Sequence, residues 1–257
     1  MDYEQFKAAV LKLTSIDLSA YKEKQMRRRI DTLINKHKID GYENFVAKLK
    51  SDKDVLEEFV SYLTINVSEF YRNTDQWELM DKEYIPELIK KFGKNLKIWS
   101  AACSTGDEPY SLVMALSRHI PLNQIRITAT DIDKQIIAQA KTGLYAEKSL
   151  AGVPKDLKEK YFTKVGANSY QISDEIKSRV TFQQHNLLKD KYPENVNFIV
   201  CRNVLIYFTE EAKEEVFIKF NKSLAKGGLL FIGSTEQIMN HKEIGYERRN
   251  SFYYEKP

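Results

Sequence analysis

The stretch IWSAACSTGDEPYS, Ile98 to Ser111, joins an apolar run to the start of a helix. The apolar run predicts a buried strand, and Pro109 suits the first turn of the helix that follows. A strand, a tight turn and a helix form the first unit of a dinucleotide-binding fold. The turn holds a single glycine, Gly106, and two acids, Asp107 and Glu108, come directly after it. We therefore expect this helix N-terminus to bind something other than a pyrophosphate.

The composition is that of a soluble globular protein: of 257 residues, 30% are charged and 42% hydrophobic. No apolar run approaches the roughly 20 residues of a membrane span, and the polar first twenty residues predict no signal peptide. With two cysteines, Cys103 and Cys201, a disulfide framework is excluded. We expect buried thiols and a reducing cytoplasm. The four histidines lack ligand spacing, so no metal site is expected.

The apolar periodicity changes at about residue 75. Residues 1–75 carry only helical patterns and predict a small N-terminal all-helical domain. In residues 76–257 strands alternate with helices, which predicts an α/β fold with a doubly wound, mostly parallel sheet. Strands are expected within 96–101, 125–133, 179–188, 195–208 and 229–236, with 248–256 as an antiparallel edge strand. The helix before the fifth of these strands is expected to end in a C-cap at the glycine pair Gly227 and Gly228.

The segment at about 145–180 is longer than a single crossover needs. VPKDLKEKYF, Val153–Phe162, predicts a helix, and ANSYQIS, Ala167–Ser173, favours a short antiparallel hairpin. We expect a small β insertion mounted on the main sheet.

Ligands of open α/β sheets bind beyond the carboxyl ends of the strands. A dinucleotide needs glycines and bare amide groups there for its pyrophosphate, which Asp107 and Glu108 would repel. S-adenosylmethionine has no phosphate, carries an ammonium and a sulfonium, and has ribose hydroxyls that suit Asp131, about 25 residues after Gly106. Either acid alone would be explained by the helix dipole. Together with Asp131 they favour S-adenosylmethionine over NAD.

Five motifs follow one another along the chain. They are LTINVSEFYRN (Leu63–Asn73), WSAACSTGDEPYS (Trp99–Ser111), ATDID (Ala129–Asp133), NLL (Asn186–Leu188) and CRNVLIYF (Cys201–Phe208). In this order they resemble the chemotaxis receptor methyltransferases, the CheR family, over nearly the whole chain. The resemblance implies a Rossmann-like, S-adenosylmethionine-dependent methyltransferase domain in residues 76–257 and a receptor-docking domain in residues 1–75.

The resemblance further implies methyl transfer to glutamate side chains in the cytoplasmic helices of methyl-accepting chemoreceptors. The products would be glutamate 5-O-methyl esters and S-adenosylhomocysteine, in chemotaxis adaptation. Such an enzyme is expected in the cytoplasm, reaches the membrane only through its receptors, and has no nucleic-acid partner. Because a glutamate with a pKa near 4.3 is already ionised, the reaction needs no general base.

The resemblance also implies the site residues. The cofactor contacts would be Asn66, Ser68 and Arg72 between the domains, Glu108 for the methionine ammonium, Asp131 for the ribose, Asn186 and Leu187 beside the adenine, and Arg202 and Asn203 after the fourth strand. Ser68 stands where other members carry threonine and keeps the hydroxyl. Arg72 would orient the acceptor carboxylate and Tyr207 would position it. The alternatives are a linker salt bridge for Arg72 and a core aromatic for Tyr207.

Seven basic and two acidic residues lie between Lys22 and Lys38, in a chain whose net charge is only +4. Helical spacing puts Met26, Ile30, Leu33 and Ile34 on a buried stripe, with basic residues on its flanks. The candidates for docking an acidic receptor helix are Lys24, Arg27, Arg28, Arg29 and Lys38. The alternative is an ordinary solvated face. In some family members the β insertion grips a peptide at the receptor C-terminus, and here a purely structural insertion is an equal alternative.

Three other functions are compatible with parts of the sequence. A nucleic-acid methyltransferase would use the basic helix for phosphates, but CRNVLIYF stands where amino-methylating DNA enzymes carry a Pro-Pro-aromatic stretch. A non-enzymatic adaptor is disfavoured by the intact Arg72, Glu108, Asp131 and Tyr207. An NAD-dependent oxidoreductase is disfavoured by the missing glycines.

Overall fold

The computed structural model describes residues 1–257 and divides the chain into two units. The first unit comprises Met1–Asn66 and Leu205–Glu215, and the second comprises Val67–Val204 and Val216–Pro257. None of the helices combines the length and the apolar character that crossing a lipid bilayer requires.

The first unit is a small helical bundle, as the sequence predicts. Its helices are α1 (Tyr3–Thr14), α2 (Glu23–Lys36), α3 (Gly41–Ser51) and α4 (Lys53–Leu63). Phe6, Phe45 and Phe59 are fully buried between them, and the rings of Phe45 and Phe59 meet edge-on at 5.5 Å. The expected stripe of α2 is buried: Met26, Ile30, Leu33 and Ile34. A short 3₁₀ helix, Leu205–Tyr207, completes this unit together with the following residues to Glu215.

The first boundary falls after Asn66, earlier than the expected position at about residue 75. Phe70 and Tyr71 lie between the two positions, and both are buried in the core of the second unit. The ring of Phe70 packs edge-on against Tyr145 and Phe162 at 4.7 and 5.2 Å. Burial of these aromatic rings fixes the segment after Asn66 to the second unit.

The second unit contains all ten strands. They are β1 (Ile98–Ala101), β2 (Ile127–Asp131), β3 (Leu144–Ala146), β4 (Phe162–Lys164), β5 (Ser169–Ile172), β6 (Val180–Gln184), β7 (Val196–Cys201), β8 (Leu224–Ile232), β9 (Glu247–Arg248) and β10 (Tyr253–Glu255). The main sheet has the order β6-β2-β1-β7-β8-β10-β9. Its first five members run parallel, and β10 is antiparallel to β8 and β9. The predicted mostly parallel sheet is confirmed, but the antiparallel strand β10 is not the edge, because β9 lies outside it.

The helices of the second unit lie between these strands in sequence. They are α5 (Thr74–Leu79), which continues through a π-helical turn (Met80–Tyr84) into α6 (Ile85–Phe92), then α7 (Asp107–Leu116), α8 (Lys134–Thr142), α9 (Lys155–Tyr161), α10 (Asp174–Lys177), α11 (Glu210–Ser223) and α12 (His241–Ile244). The unit boundary falls inside α11. Both α7 and α8 pack on β2 and β6. Every residue of α7 except Glu108 is buried, so this helix forms the centre of the core.

The inserted segment forms a sheet of its own, with the strand order β3-β5-β4. Both pairings are antiparallel, and α9 precedes the hairpin of β4 and β5. The helix and the hairpin lie in the segment 145–180, and β3 adds a third strand that begins at Leu144.

The expected glycine C-cap is wrong. α11 ends at Ser223, and Gly227 and Gly228 lie inside β8. The pairing of β7 with β8 is irregular here, and a Cβ on Gly228 would lie 3.0 Å from the carbonyl oxygen of Val196. The glycines therefore serve a close approach of two strands rather than the end of a helix.

Candidate functional site

The turn between β1 and α7 is held in an unusual backbone conformation. Ala102, Ser104 and Gly106 all have positive φ, at 63°, 47° and 88°. The backbone N–H of Cys103 donates to the carbonyl of Thr130 on the neighbouring β2 at 2.9 Å. A Cβ on Gly106 would lie 3.0 to 3.1 Å from side-chain atoms on three sides, so this position requires glycine for both its φ and its space. The turn is thereby fixed against the carboxyl end of β2.

Asp131 is the last residue of β2, and its side chain is hydrogen-bonded to this turn. The side chain is 6% exposed, and its two oxygens accept backbone N–H groups of Ser104 at 2.8 Å and Asp133 at 3.1 Å. Burial raises the pKa of Asp131 to about 6, against the lowering effect of these hydrogen bonds. The predicted ribose acid is therefore also a structural part of the loop.

Asp107 and Glu108 differ in their surroundings although they are neighbours in sequence. Asp107 is 1% exposed, and its carboxylate accepts hydrogen bonds from the hydroxyls of Thr105 and Ser68. Burial raises its pKa. The hydroxyl of Ser68, a predicted cofactor contact, is thus bonded to protein. The carboxylate of Asp107 therefore has its hydrogen-bond partners within the protein.

Glu108 keeps part of its surface exposed and accepts one hydrogen bond, from the Ser100 hydroxyl at 2.9 Å. Dense protein around the carboxyl raises its pKa to about 7, while the charges of Arg202 and Arg72 act in the opposite direction. Of the two acids it is the one with accessible surface and spare acceptor capacity, which suits a cationic ligand group.

Two arginines lie within electrostatic range of Glu108. Arg202, just after β7, is 8% exposed, lies over the Phe231 ring at 4.5 Å and donates to Asn73 Oδ1 at 2.7 Å. Its Nε is buried without a hydrogen-bond partner, and burial lowers its pKa. Arg72 is partly exposed.

The buried acid Glu236 at this edge of the sheet was not predicted from the sequence. Glu236, beyond the end of β8, is 2% exposed and accepts the backbone N–H groups of Asn203, Val204 and Gly233. The available signal was the acid in LLFIGSTE, Leu229–Glu236, which follows a strand as Asp131 does. Asn203, a predicted cofactor residue, is held there with a φ of 61°.

The remaining predicted contacts follow β6 or belong to the first unit. Asn186 Oδ1 accepts from the Leu188 backbone within its own turn at 2.9 Å, and Leu187 is largely buried. Asn66 and Tyr207 are in the first unit, where the Tyr207 carbonyl accepts from the Lys22 backbone at 2.9 Å. Tyr207 is partly exposed and is therefore not a core aromatic.

The five predicted docking residues are not equivalent. Lys24, Arg28 and Lys38 are exposed and form no ion pair. Arg27 lies over the Tyr3 ring at 5.1 Å. Arg29 donates to the Tyr62 carbonyl and stacks on the Tyr62 ring at 4.4 Å, so it is engaged within the bundle.

Both cysteines are free and buried. Burial raises the pKa of each thiol well above its ordinary value, so neither is a thiolate nucleophile at neutral pH. The chemistry of the site is therefore carried by carboxylates and arginines. These residues suit a ligand with an ammonium group and hydroxyls and without phosphate.

Comparisons with known proteins cover both units. Residues 66–251 match the family described as CheR methyltransferase, SAM binding domain, and residues 1–64 match CheR methyltransferase, all-alpha domain. A chemotaxis protein methyltransferase of Listeria monocytogenes is 40% identical over 253 residues, which are 98% of this chain and 96% of that protein. Chemotaxis protein methyltransferase 1 of Pseudomonas aeruginosa is 33% identical, covering 93% of this chain and 91% of its own. A TehB-like SAM-dependent methyltransferase from Corynebacterium glutamicum, a solved structure, is 14% identical with a TM-score of 0.39, over 72% of this chain and 94% of its own.

Proposed function

Because the chain belongs to the CheR family of S-adenosylmethionine-dependent methyltransferases, we propose that it methylates glutamate side chains in the cytoplasmic helices of chemoreceptors, forming glutamate 5-O-methyl esters. One observation carries this proposal: the likeness to the Listeria chemotaxis protein methyltransferase extends over 98% of the chain. A methyltransferase of another substrate class would be expected to share the cofactor-binding domain and to differ in the helical unit. An enzyme with this substrate acts in the cytoplasm.

The acids after β1 and β2 would hold the cofactor. Glu108 would bind its ammonium and Asp131 its ribose hydroxyls, while Asp107 stays bonded to Thr105 and Ser68. The single acceptor bond of Glu108 and its partial exposure support this assignment over Asp107. Bound S-adenosylmethionine supplies a methyl group activated on a sulfonium.

The acceptor needs orientation rather than activation. A glutamate carboxylate is ionised at neutral pH, so the protein must align one oxygen for in-line attack and exclude water. The guanidinium of the partly exposed Arg72 would hold the other oxygen, and Tyr207 would position the acceptor through its hydroxyl. No general base is required of the buried site.

The receptor would dock on α2 through its unpaired cations. Lys24, Arg28 and Lys38 are exposed and have no intramolecular ion pair, so they are available to an acidic helix. Arg29 is engaged with Tyr62 and would contribute less.

The test uses a purified receptor cytoplasmic fragment and S-adenosylmethionine labelled in the methyl group. We expect protein-bound label that is released as methanol in mild alkali, and a matched fragment with alanine at the labelled glutamates should stay unlabelled. Label that resists alkali, or that is transferred to nucleic acid instead, would refute the ester chemistry.

A further inference from the structure

Glu236 joins the ends of two neighbouring strands through one carboxylate. Oε2 accepts the N–H groups of Asn203 and Gly233, both at 2.8 Å, and Oε1 accepts that of Val204 at 2.9 Å. Because β7 and β8 run parallel and Cys201 pairs with Ile232, these donors lie at the same edge of the sheet. A carboxylate that is 2% exposed and bonded to three N–H groups is strongly fixed.

The backbone that Glu236 holds has a left-handed conformation. Asn203 has a φ of 61°, in a region that asparagine adopts more readily than other residues with a side chain. Gly233 leaves the space for the carboxylate: a Cβ there would overlap Oε2 of Glu236 and lie 3.0 Å from the Asn203 nitrogen. The carboxylate of Glu236 can occupy this position only because residue 233 is a glycine.

We infer that Glu236 is a positioning residue for the cofactor site, which fixes the Arg202–Asn203 backbone in the conformation that binds S-adenosylmethionine. The inference rests on the proposed function in taking Arg202 and Asn203 as cofactor contacts. Glu236 accepts the backbone N–H groups of Asn203, Val204 and Gly233, so it acts on the cofactor site by fixing this backbone.

The test compares Glu236→Gln with Glu255→Gln, the same substitution in the same sheet. Glu255 lies on β10 opposite Leu229 of β8, and its carboxylate pairs with Lys91 at 2.7 Å and with Arg249 at 2.6 Å. In Glu236→Gln the amide NH₂ must face a backbone N–H, so at least one hydrogen bond becomes a repulsion. By isothermal calorimetry we expect the Kd for S-adenosylhomocysteine to rise about tenfold or more in Glu236→Gln and to stay unchanged in Glu255→Gln.

Two further variants separate positioning from stability. Gly233→Ala keeps the acid but displaces it, so it should weaken S-adenosylhomocysteine binding as Glu236→Gln does. Glu236→Asp keeps the charge on a shorter side chain and should recover part of the affinity. The thermal midpoint of each variant is measured beside its Kd, and the KM for the receptor should not change.

A wild-type Kd in folded Glu236→Gln or folded Gly233→Ala overturns the inference. Loss of folding in all the Glu236 and Gly233 variants also overturns it, because the residue would then serve the stability of the unit. Wild-type affinity in Asn203→Ala would overturn the inference as well. The proposed function fails in a different way: the wild-type protein would not bind S-adenosylhomocysteine.

Discussion

Glu108→Gln tests the assignment of Glu108 as the cofactor-binding acid, because the substitution should stabilise the fold and at the same time weaken cofactor binding. The pKa of Glu108 is raised from 4.5 to about 7 because burial penalises the charged carboxylate. The penalty is absent below pH 4.5, grows between pH 4.5 and 7, and is complete above pH 7. At 1.36 kcal/mol per pH unit this difference corresponds to about 3 kcal/mol at most, and the exposed part of the side chain reduces it. We expect Glu108→Gln to gain about 1 to 3 kcal/mol at pH 8, and about a quarter of that gain at pH 5.

Glu108→Gln should lower the affinity for the cofactor although it raises the stability of the fold. An amide cannot pair with an ammonium, so the Kd for S-adenosylhomocysteine should rise about 10- to 100-fold in Glu108→Gln. In wild type the ligand binds the ionised carboxylates, so affinity should fall about 10- to 20-fold from pH 8 to pH 6, about tenfold through Glu108 and up to about twofold through Asp131. The variant should keep at most about a twofold decrease, due to Asp131 with its pKa of about 6.

The measurements are thermal unfolding at pH 5 and pH 8 and calorimetric titration with S-adenosylhomocysteine at pH 6, 7 and 8. Glu194→Gln is the control, since Glu194 is exposed and its pKa is lowered by Lys191, which predicts no gain in stability. A Glu108→Gln protein that is less stable than wild type at pH 8 would refute the reasoning, and so would an unchanged affinity.

Three other substitutions test separate parts of the molecule. Arg28→Glu on α2 should raise the KM for the receptor severalfold and leave the affinity for S-adenosylhomocysteine unchanged. The control is Lys50→Glu at an exposed position of α3. An unchanged KM in Arg28→Glu would show that α2 does not dock the receptor. Tyr207→Phe removes only a hydroxyl and should lower kcat about 10- to 100-fold with cofactor affinity retained, whereas full activity would exclude the hydroxyl from acceptor positioning. Gly106→Ala puts a Cβ 3.0 Å from that of Ala140 at a φ of 88°, so denaturant titration should show a loss of about 2 to 4 kcal/mol; a loss below about 0.5 kcal/mol would contradict the steric argument.

The features that were predictable from the sequence depend on local periodicity. The apolar run before Ser104 became β1, Pro109 lies in the first turn of α7, and Asp131 ends β2. Each of these follows from the order of polar and apolar residues within about ten positions. The family resemblance added the site residues, whose roles stay predictions.

The features that were not predictable depend on contacts between distant residues. Phe70 belongs to the second unit because Tyr145 and Phe162, about 75 and 90 positions later, provide the rings against which it packs. The role of Glu236 depends on the pairing of β7 with β8, which local sequence does not reveal. Gly227 has the sequence context of a helix end, and only the pairing of β8 shows that it lies in a strand. Local patterns cannot contain this information.

The acids after Gly106 and the shortage of amides there have one physical explanation. The N–H of Ser104 already donates to Asp131, that of Gly106 donates to the Cys103 carbonyl, and Pro109 has none. A pyrophosphate at this turn would meet at most the amides of Thr105, Asp107 and Glu108, beside the carboxylates of the last two residues. The hydrogen bonds that hold the turn therefore explain its ligand preference: they use several of the N–H groups that would bind an anion, and the carboxylate of the partly exposed Glu108, with its single hydrogen bond, is left for a cation.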